Sequence, residues 1–195
     1  MNYYTLVIAG VGYLIGSIPF SYIVSQKLGH VDIRKHGSGN TGATNVYRTL
    51  GRKIGLIAFV GDFLKGALAV LIGYLMGGTD AGTICGTVAV LGHCYPFSLG
   101  FKGGKGVATA AGMVMATQPL IGLITLVVHL TTLKTIKYMS VSSIIAALML
   151  PLLAIMLNTS DVYVGCSVFL GFFVIYRHKS NIQKLLRGEE NPFNF

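Results

Sequence analysis

Three stretches of this chain carry residue types suited to holding an oxyanion. The first runs Asp32-Ile33-Arg34-Lys35-His36-Gly37-Ser38-Gly39-Asn40-Thr41-Gly42-Ala43-Thr44-Asn45-Val46-Tyr47-Arg48. Glycine tolerates positive φ, so successive backbone N–H groups can turn into one concavity. Ser38, Asn40, Thr41 and Asn45 add short polar side chains, and Arg34, Lys35 and Arg48 add positive charge. A Walker A loop would place Lys-Ser/Thr after its last glycine, and this stretch does not. The same composition also suits a flexible, turn-rich linker. The second stretch is Gly92-His93-Cys94-Tyr95-Pro96, followed by Phe101-Lys102-Gly103-Gly104-Lys105-Gly106-Val107-Ala108-Thr109. Its glycines lead into a helix whose N-terminus offers unpaired N–H groups and a positive dipole end. Lys105 opposes that dipole, so an anionic ligand is its natural compensator; the plainer reading is a membrane-interface anchor. His93 divides evenly between a functional group and one that satisfies a neighbour. The third stretch is His178-Lys179-Ser180-Asn181-Ile182, where i, i+3 spacing puts His178 and Asn181 on one helix face.

Other polar residues stand apart. Asp62 and Lys65 lie i, i+3 inside an apolar run, as a buried structural ion pair would. Ser140 and Ser143 open a later run; Ser140 is a candidate N-cap and Ser143 a candidate hydrogen-bond donor to a ligand. Cys85, Cys94 and Cys166 have neither metal-ligand nor disulfide spacing and read as small core residues. No His/Cys cluster, His-x4-Asp pair or ordered Ser-His-Asp set is present. A metal centre and a cofactor are therefore not expected.

The elements that must position these residues belong in a membrane. Hydrophobic residues make up 53% of the 195-residue chain and charged ones 11%, against about 25% charged in soluble domains. Apolar runs cover residues 3–24, 54–76, 81–99, 107–117, 120–133, 141–157 and 162–176, most near the roughly 20 residues needed to cross hydrocarbon. Gln118-Pro119 interrupts residues 107–133, leaving two short spans or one kinked one. Charge favours two. With seven spans, every Lys and Arg except Lys65 falls on one side, which the positive-inside rule makes cytoplasmic, with the N-terminus outside. The expectation is an all-α, polytopic integral membrane protein of seven transmembrane helices, some short, folded as a single domain over residues 1–195. The opening Met1-Asn2-Tyr3-Tyr4 lacks a basic n-region, so the first run should be retained. The tail from Arg177 should begin as a short interfacial helix, with Ile182, Leu185 and Leu186 against lipid or protein. A net charge of +9 suits anionic lipids and phosphates. Nucleic acid is not an expected partner.

Taken together, Ser17-x-Pro19, the Asp32-to-Asn45 loop, Gly92-His93-x-x-Pro96 with Phe101-x-Gly103-Gly104-Lys105-Gly106-Val107-Ala108-Thr109, and His178-x-x-Asn181-Ile182 with Gly188-x-Glu190 resemble the bacterial PlsY family. The match runs in order along the whole chain. Lys184 departs from it, standing where the family pattern has Arg; charge is kept but not bidentate geometry. The resemblance implies a membrane acyl-phosphate:glycerol-3-phosphate acyltransferase of phospholipid synthesis that makes lysophosphatidic acid and inorganic phosphate. It implies catalytic roles for Ser38, Lys105, His178 and Asn181. It implies substrate contacts from Arg34, Lys35, Gly39, Asn40, Thr41, Asn45, Arg48, His93, Gly103, Gly104 and Ser143. The hydroxyl proton goes to His178 or to a substrate phosphate oxygen. The setting implied is the bacterial inner membrane, with the site on the cytoplasmic side of a monomer. A phosphate transporter and a non-catalytic lipid-binding scaffold are the competing readings.

Overall fold

The computed structural model describes residues 3–193; Met1, Asn2 and the last two residues of the tail, Asn194 and Phe195, lie outside them. The described residues are all-helical, with nine α-helices, two short 3₁₀ turns and no strand. Four stretches are long and apolar enough to cross a membrane: Tyr3–Gly29, Arg52–Leu99, Pro119–Ile136 and Met139–Met156. The chain divides between Thr117 and Gln118 into two compact units.

In the first unit, α1 (Tyr3–Gly16) and α2 (Phe20–Gly29) share the first apolar run. The sequence suggests one continuous helix there. Pro19 breaks it, because proline supplies no N–H and crowds the preceding turn. After the 3₁₀ turn Ile33–Lys35 come α3 (Ala43–Leu50) and α4 (Arg52–Cys94). At 43 residues, α4 as one rod would reach about 65 Å, twice the hydrocarbon thickness. It is two limbs. Gly77 (φ −161°, ψ 27°) and Gly78 (φ 78°, ψ −165°) leave helical geometry, and glycine alone enters such positive φ freely. The limbs then pack back on each other, Gly73 against Ala81, Gly82 and Cys85, and Gly86 against Val70.

Small residues set the spacing of this unit, since close backbone approach drives helix association in lipid. A methyl group on Gly12 or Gly16 of α1 would run into the carbonyls of Cys85 or Ala89. Ile8, Ala69, Ala81, Cys85 and Ala89 form the core between α1 and α4, as the reading of Cys85 anticipates. Gly66 and Gly112 bring the first limb of α4 equally close to α5 (Val107–Thr117). A separate cluster of Ile33, Val46 and Ala58 pins the first polar loop to α3 and α4.

The second unit opens with α6 (Pro119–Ile136), whose first residue is the proline that ends α5. Residues 107–133 are therefore two helices rather than one kinked span. The helices α7 (Met139–Met156), α8 (Asp161–Arg177) and α9 (Lys179–Leu186) follow, with α7 packed on both α6 and α8. Ser160 caps α8 by accepting from Tyr163 N at 3.2 Å. Ser140 does not cap α7. The cap position is Tyr138, and Ser140 lies buried in the first turn. The tail does begin with a short helix, α9, with Ile182 and Leu185 half-buried and Leu186 exposed.

Candidate active site

The first loop is folded around one side chain. Asn45, buried on α3, accepts from Ser38 N at 3.0 Å. It donates through Nδ2 to Asn40 O (2.9 Å), His36 O (3.0 Å) and Ile33 O (3.2 Å). Gly37 (φ 58°) and Gly39 (φ 70°) make the bends that bring those carbonyls inward, and a side chain at Gly37 would collide with Asn45 Oδ1. The loop is thus an internally bonded turn, not a slack linker. Asn45, a substrate contact on the sequence reading, spends its polar atoms on the loop backbone and orders its neighbours. Around it Ser38 and Gly39 are exposed, Asn40 is half-buried and Thr41 is buried.

Arg34 is similarly engaged. Its guanidinium meets Asp32 with Nη2–Oδ2 at 2.7 Å and Nε–Oδ1 at 2.9 Å, and lies 4.9 Å from the centre of the Tyr22 ring. Those hydrogen bonds hold the Asp32 carboxyl down at about 2 and raise the Arg34 guanidinium above its ordinary value. The pair uses Nε and Nη2, so a phosphate would be met by the Nη1 donors. Lys35 and Arg48 are exposed at the loop and at the last turn of α3.

The second loop meets the first. Asn40 Nδ2 lies 3.5 Å from Gly103 O, and Asn40 Oδ1 accepts from Gly42 N at 2.9 Å. Gly103 N and Gly104 N donate to Cys94 O (3.0 Å) and His93 O (3.2 Å). Gly103 and Gly104 are therefore laid flat on the end of α4. A side chain at Gly104 would strike the His93 ring, and one at Gly103 the His93 carbonyl and Pro96. Gly106, at φ 85°, turns the chain into α5. Lys105 is half-buried between these glycines, next to a helix start where N–H groups favour an anion.

In the second unit, His178 joins α8 to α9 and is 3% exposed. Its Nδ1 is 2.7 Å from Val174 O. A carbonyl only accepts, so Nδ1 carries a proton, and in the neutral ring Nε2 is the basic nitrogen. Asn181 Nδ2 donates to Glu190 Oε1 at 2.6 Å, and the chain after α9 folds back so that Phe193 N donates to Lys137 O at 2.6 Å. The sequence reading missed this role for Glu190; its signal was the Gly188-x-Glu190 pattern. Ser143 is buried on α7 and donates to Met139 O at 2.7 Å, leaving its oxygen able to accept. Among the described residues no group of three or more His, Cys, Asp or Glu is arranged to hold a metal ion.

Residues 6–188 match the model of a family described as glycerol-3-phosphate acyltransferase. A glycerol-3-phosphate acyltransferase of Syntrophomonas wolfei is 46% identical over 178 residues, 91% of each chain. One of Geobacter sulfurreducens is 43% identical over 189 residues, covering 96% of this chain and 97% of its own. A crystal structure of PlsY (YgiH), an integral membrane glycerol 3-phosphate acyltransferase in its glycerol 3-phosphate form, superposes with a TM-score of 0.91. It is 42% identical and covers 97% of this chain and 96% of that one. Its lysophosphatidic acid form gives a TM-score of 0.90 at 41% identity, covering 97% and 95%.

Proposed function

Because the chain belongs to the glycerol-3-phosphate acyltransferase family, we propose that it moves a fatty acyl group from an acyl-phosphate to the sn-1 hydroxyl of glycerol 3-phosphate. The hydroxyl oxygen attacks the acyl carbonyl carbon, the carbonyl–phosphate C–O bond breaks, and inorganic phosphate leaves with that bond's oxygen. The product is lysophosphatidic acid, the first acylated intermediate of phospholipid synthesis. One observation carries the reading: Asn40 ties the Ser38–Thr41 turn to Gly103, beside Lys105 and the start of α5. Two donor-rich, glycine-lined loops and a cation on one site suit a phosphate. Both proposed substrates bear one. An acyl-phosphate is already activated, so positioning and charge stabilisation can supply the rate without a covalent intermediate.

Ser38, Lys105, His178 and Asn181 act on the reacting groups in this proposal. Arg34, Lys35, Gly39, Asn40, Thr41, Arg48, His93, Gly103, Gly104 and Ser143 bind the substrates, and Asn45 works through the loop it orders. The hydroxyl proton passes to a phosphate oxygen of the donor. A second route, to His178 Nε2, is supported by the bond from Nδ1 to Val174 O that leaves Nε2 basic. Similar large losses in His178→Ala and His178→Asn, with substrate binding intact, would select the second route.

For the membrane we propose seven crossings: α1 with α2, the two limbs of α4, and α5 to α8. The N-terminus lies outside, and the two anion-binding loops and the tail lie on the cytoplasmic side of the inner membrane. Residues 1–195 act as one membrane-embedded acyltransferase domain, monomeric and without a cofactor. The test is purified protein with radiolabelled glycerol 3-phosphate and palmitoyl phosphate, palmitoyl-CoA or palmitoyl-acyl-carrier protein in turn. Labelled lysophosphatidic acid should form from palmitoyl phosphate alone. Formation from either thioester but not from the acyl-phosphate would overturn the donor assignment, and no product from any donor would overturn the reaction.

A further inference from the structure

We propose that Asp62 is a positioning residue for the Gly103–Gly106 loop and acts on it through His93; this rests on the reading that the loop receives a substrate phosphate. The Asp62–Lys65 pair is buried, at 2.9 Å and 1% exposure of each side chain. A purely structural pair needs only mutual compensation and a few hydrogen bonds. Part of the cluster fits that. Lys65 Nζ donates to Ile18 O at 2.7 Å beside the break between α1 and α2, and Ser21 Oγ donates to Asp62 Oδ2.

The remaining contact points elsewhere. His93 Nδ1 lies 3.3 Å from Asp62 Oδ1. The approach is electrostatic and not a hydrogen bond, since Asp62 Oδ1 has no hydrogen-bond partner among the described residues; it turns the Nδ1 edge of the ring toward the carboxylate. The opposite edge, at Nε2, is the surface on which Gly104 rests. The His93 backbone holds the same glycine through Gly104 N, and the adjoining Cys94 carbonyl holds Gly103 N. No side chain separates the ring from the loop, because Gly103 and Gly104 have none. The line Ser21–Asp62–His93–Gly104 therefore runs from buried α2 to the residue before Lys105, and Asn40 joins it at Gly103. Lys65 offsets the Asp62 charge, so the carboxylate orients the imidazole without a net buried charge. His93, expected to touch substrate, also forms the floor of the loop. Reactive groups must be held to within a fraction of an ångström, so a turned ring displaces Lys105 and the loop N–H groups together.

The experiment uses the full-length purified protein. Isothermal titration measures glycerol 3-phosphate binding, and steady-state assays with palmitoyl phosphate separate KM from kcat. His93→Phe keeps the ring volume and loses the polar contact with Asp62. His93→Asn keeps a donor where Nδ1 stood and loses ring volume. Orientation through Asp62 predicts that Phe raises Kd and KM for glycerol 3-phosphate at least tenfold and that Asn raises them less. The opposite order, Phe binding like wild type and Asn poorly, would mean the ring only fills space and would overturn the proposal. A fall in kcat with Kd and KM unchanged in both variants would overturn it too, as a loss of folded enzyme. The paired replacement Asp62→Leu with Lys65→Met removes both charges and the acceptor facing His93 Nδ1, and decides the matter should a His93 variant fail to fold. A raised Kd in that protein supports the proposal, and a wild-type Kd refutes it. Wild-type protein that binds glycerol 3-phosphate but transfers no acyl group would refute the enzymatic reading alone, and absence of binding would refute both.

Discussion

Replacing Asn45 with Ala should disable the site without unfolding the chain. Four polar contacts end on that side chain, from Ser38 N and to the carbonyls of Ile33, His36 and Asn40, all between 2.9 and 3.2 Å. Nδ2 has two hydrogens for its three carbonyls, so three donated hydrogens are in play. At about 1 kcal/mol net apiece they contribute about 3 kcal/mol to the ordered turn. Each 1.4 kcal/mol or so is tenfold, so the ordered fraction relative to open forms drops by up to about a hundredfold. Water can replace part of this at the exposed rim. The expected fall in kcat/KM is therefore on the order of ten- to a hundredfold. The Ile33–Val46–Ala58 cluster below the loop is untouched, so the thermal midpoint should move only a few degrees. Asn45→Asp should do no better, since it keeps the acceptor for Ser38 N but turns a second oxygen toward three carbonyls. Steady-state kinetics measure the loss, and trypsin cleavage after Arg34 and Lys35 reports loop opening. An Asn45→Ala enzyme within threefold of wild type, cleaved at the wild-type rate, would refute the argument that this side chain orders the site.

Three further outcomes follow from the same geometry. Lys105→Ala should lower kcat/KM by about a hundred- to a thousandfold in a protein that still elutes as a single species, the range for losing one stabilising donor; near-normal turnover would make Lys105 an anchor only. Glu190→Ala should cut turnover more than Glu190→Gln, because glutamine still offers an oxygen to Asn181 Nδ2; equal losses would mean that charge, not placement of Asn181, is what Glu190 supplies. Asp32 is held at about 2, below the ordinary carboxylate value near 3.9. Its contribution to loop stability is thus complete above about pH 4 and lost as pH falls through about 2. A ¹³C titration should show the Asp32 midpoint near 2 in wild type and near 4 in Arg34→Gln.

The sequence made the helices and the glycine-rich polar loops legible because both are written locally. Apolar runs, the Gln118-Pro119 break and the lopsided placement of Lys and Arg need no tertiary knowledge. The break at Pro19 was signalled by the proline itself but hidden by the continuous apolar run around it. What stayed out of reach depends on contacts distant in sequence. Asn45 reads as one more donor until three carbonyls are seen to surround it. Arg34 reads as a phosphate ligand, and its bonds to Asp32 and its place over Tyr22 show only in the fold. The Asp62–Lys65 pair could be inferred from i, i+3 spacing, but the approach of His93 from 31 positions further along could not.

The central claim is that the chain moves an acyl group and not a phosphoryl group, and isotope position decides it most directly. Glycerol 3-phosphate carrying ¹⁸O in its sn-1 hydroxyl is incubated with the purified protein and palmitoyl phosphate, and the products are read by mass spectrometry. Attack at the carbonyl carbon predicts ¹⁸O in the ester of lysophosphatidic acid and one unlabelled inorganic phosphate released per ester formed. Free palmitate together with glycerol bisphosphate carrying the label in its new phosphate ester would mean attack at phosphorus, and would contradict the account.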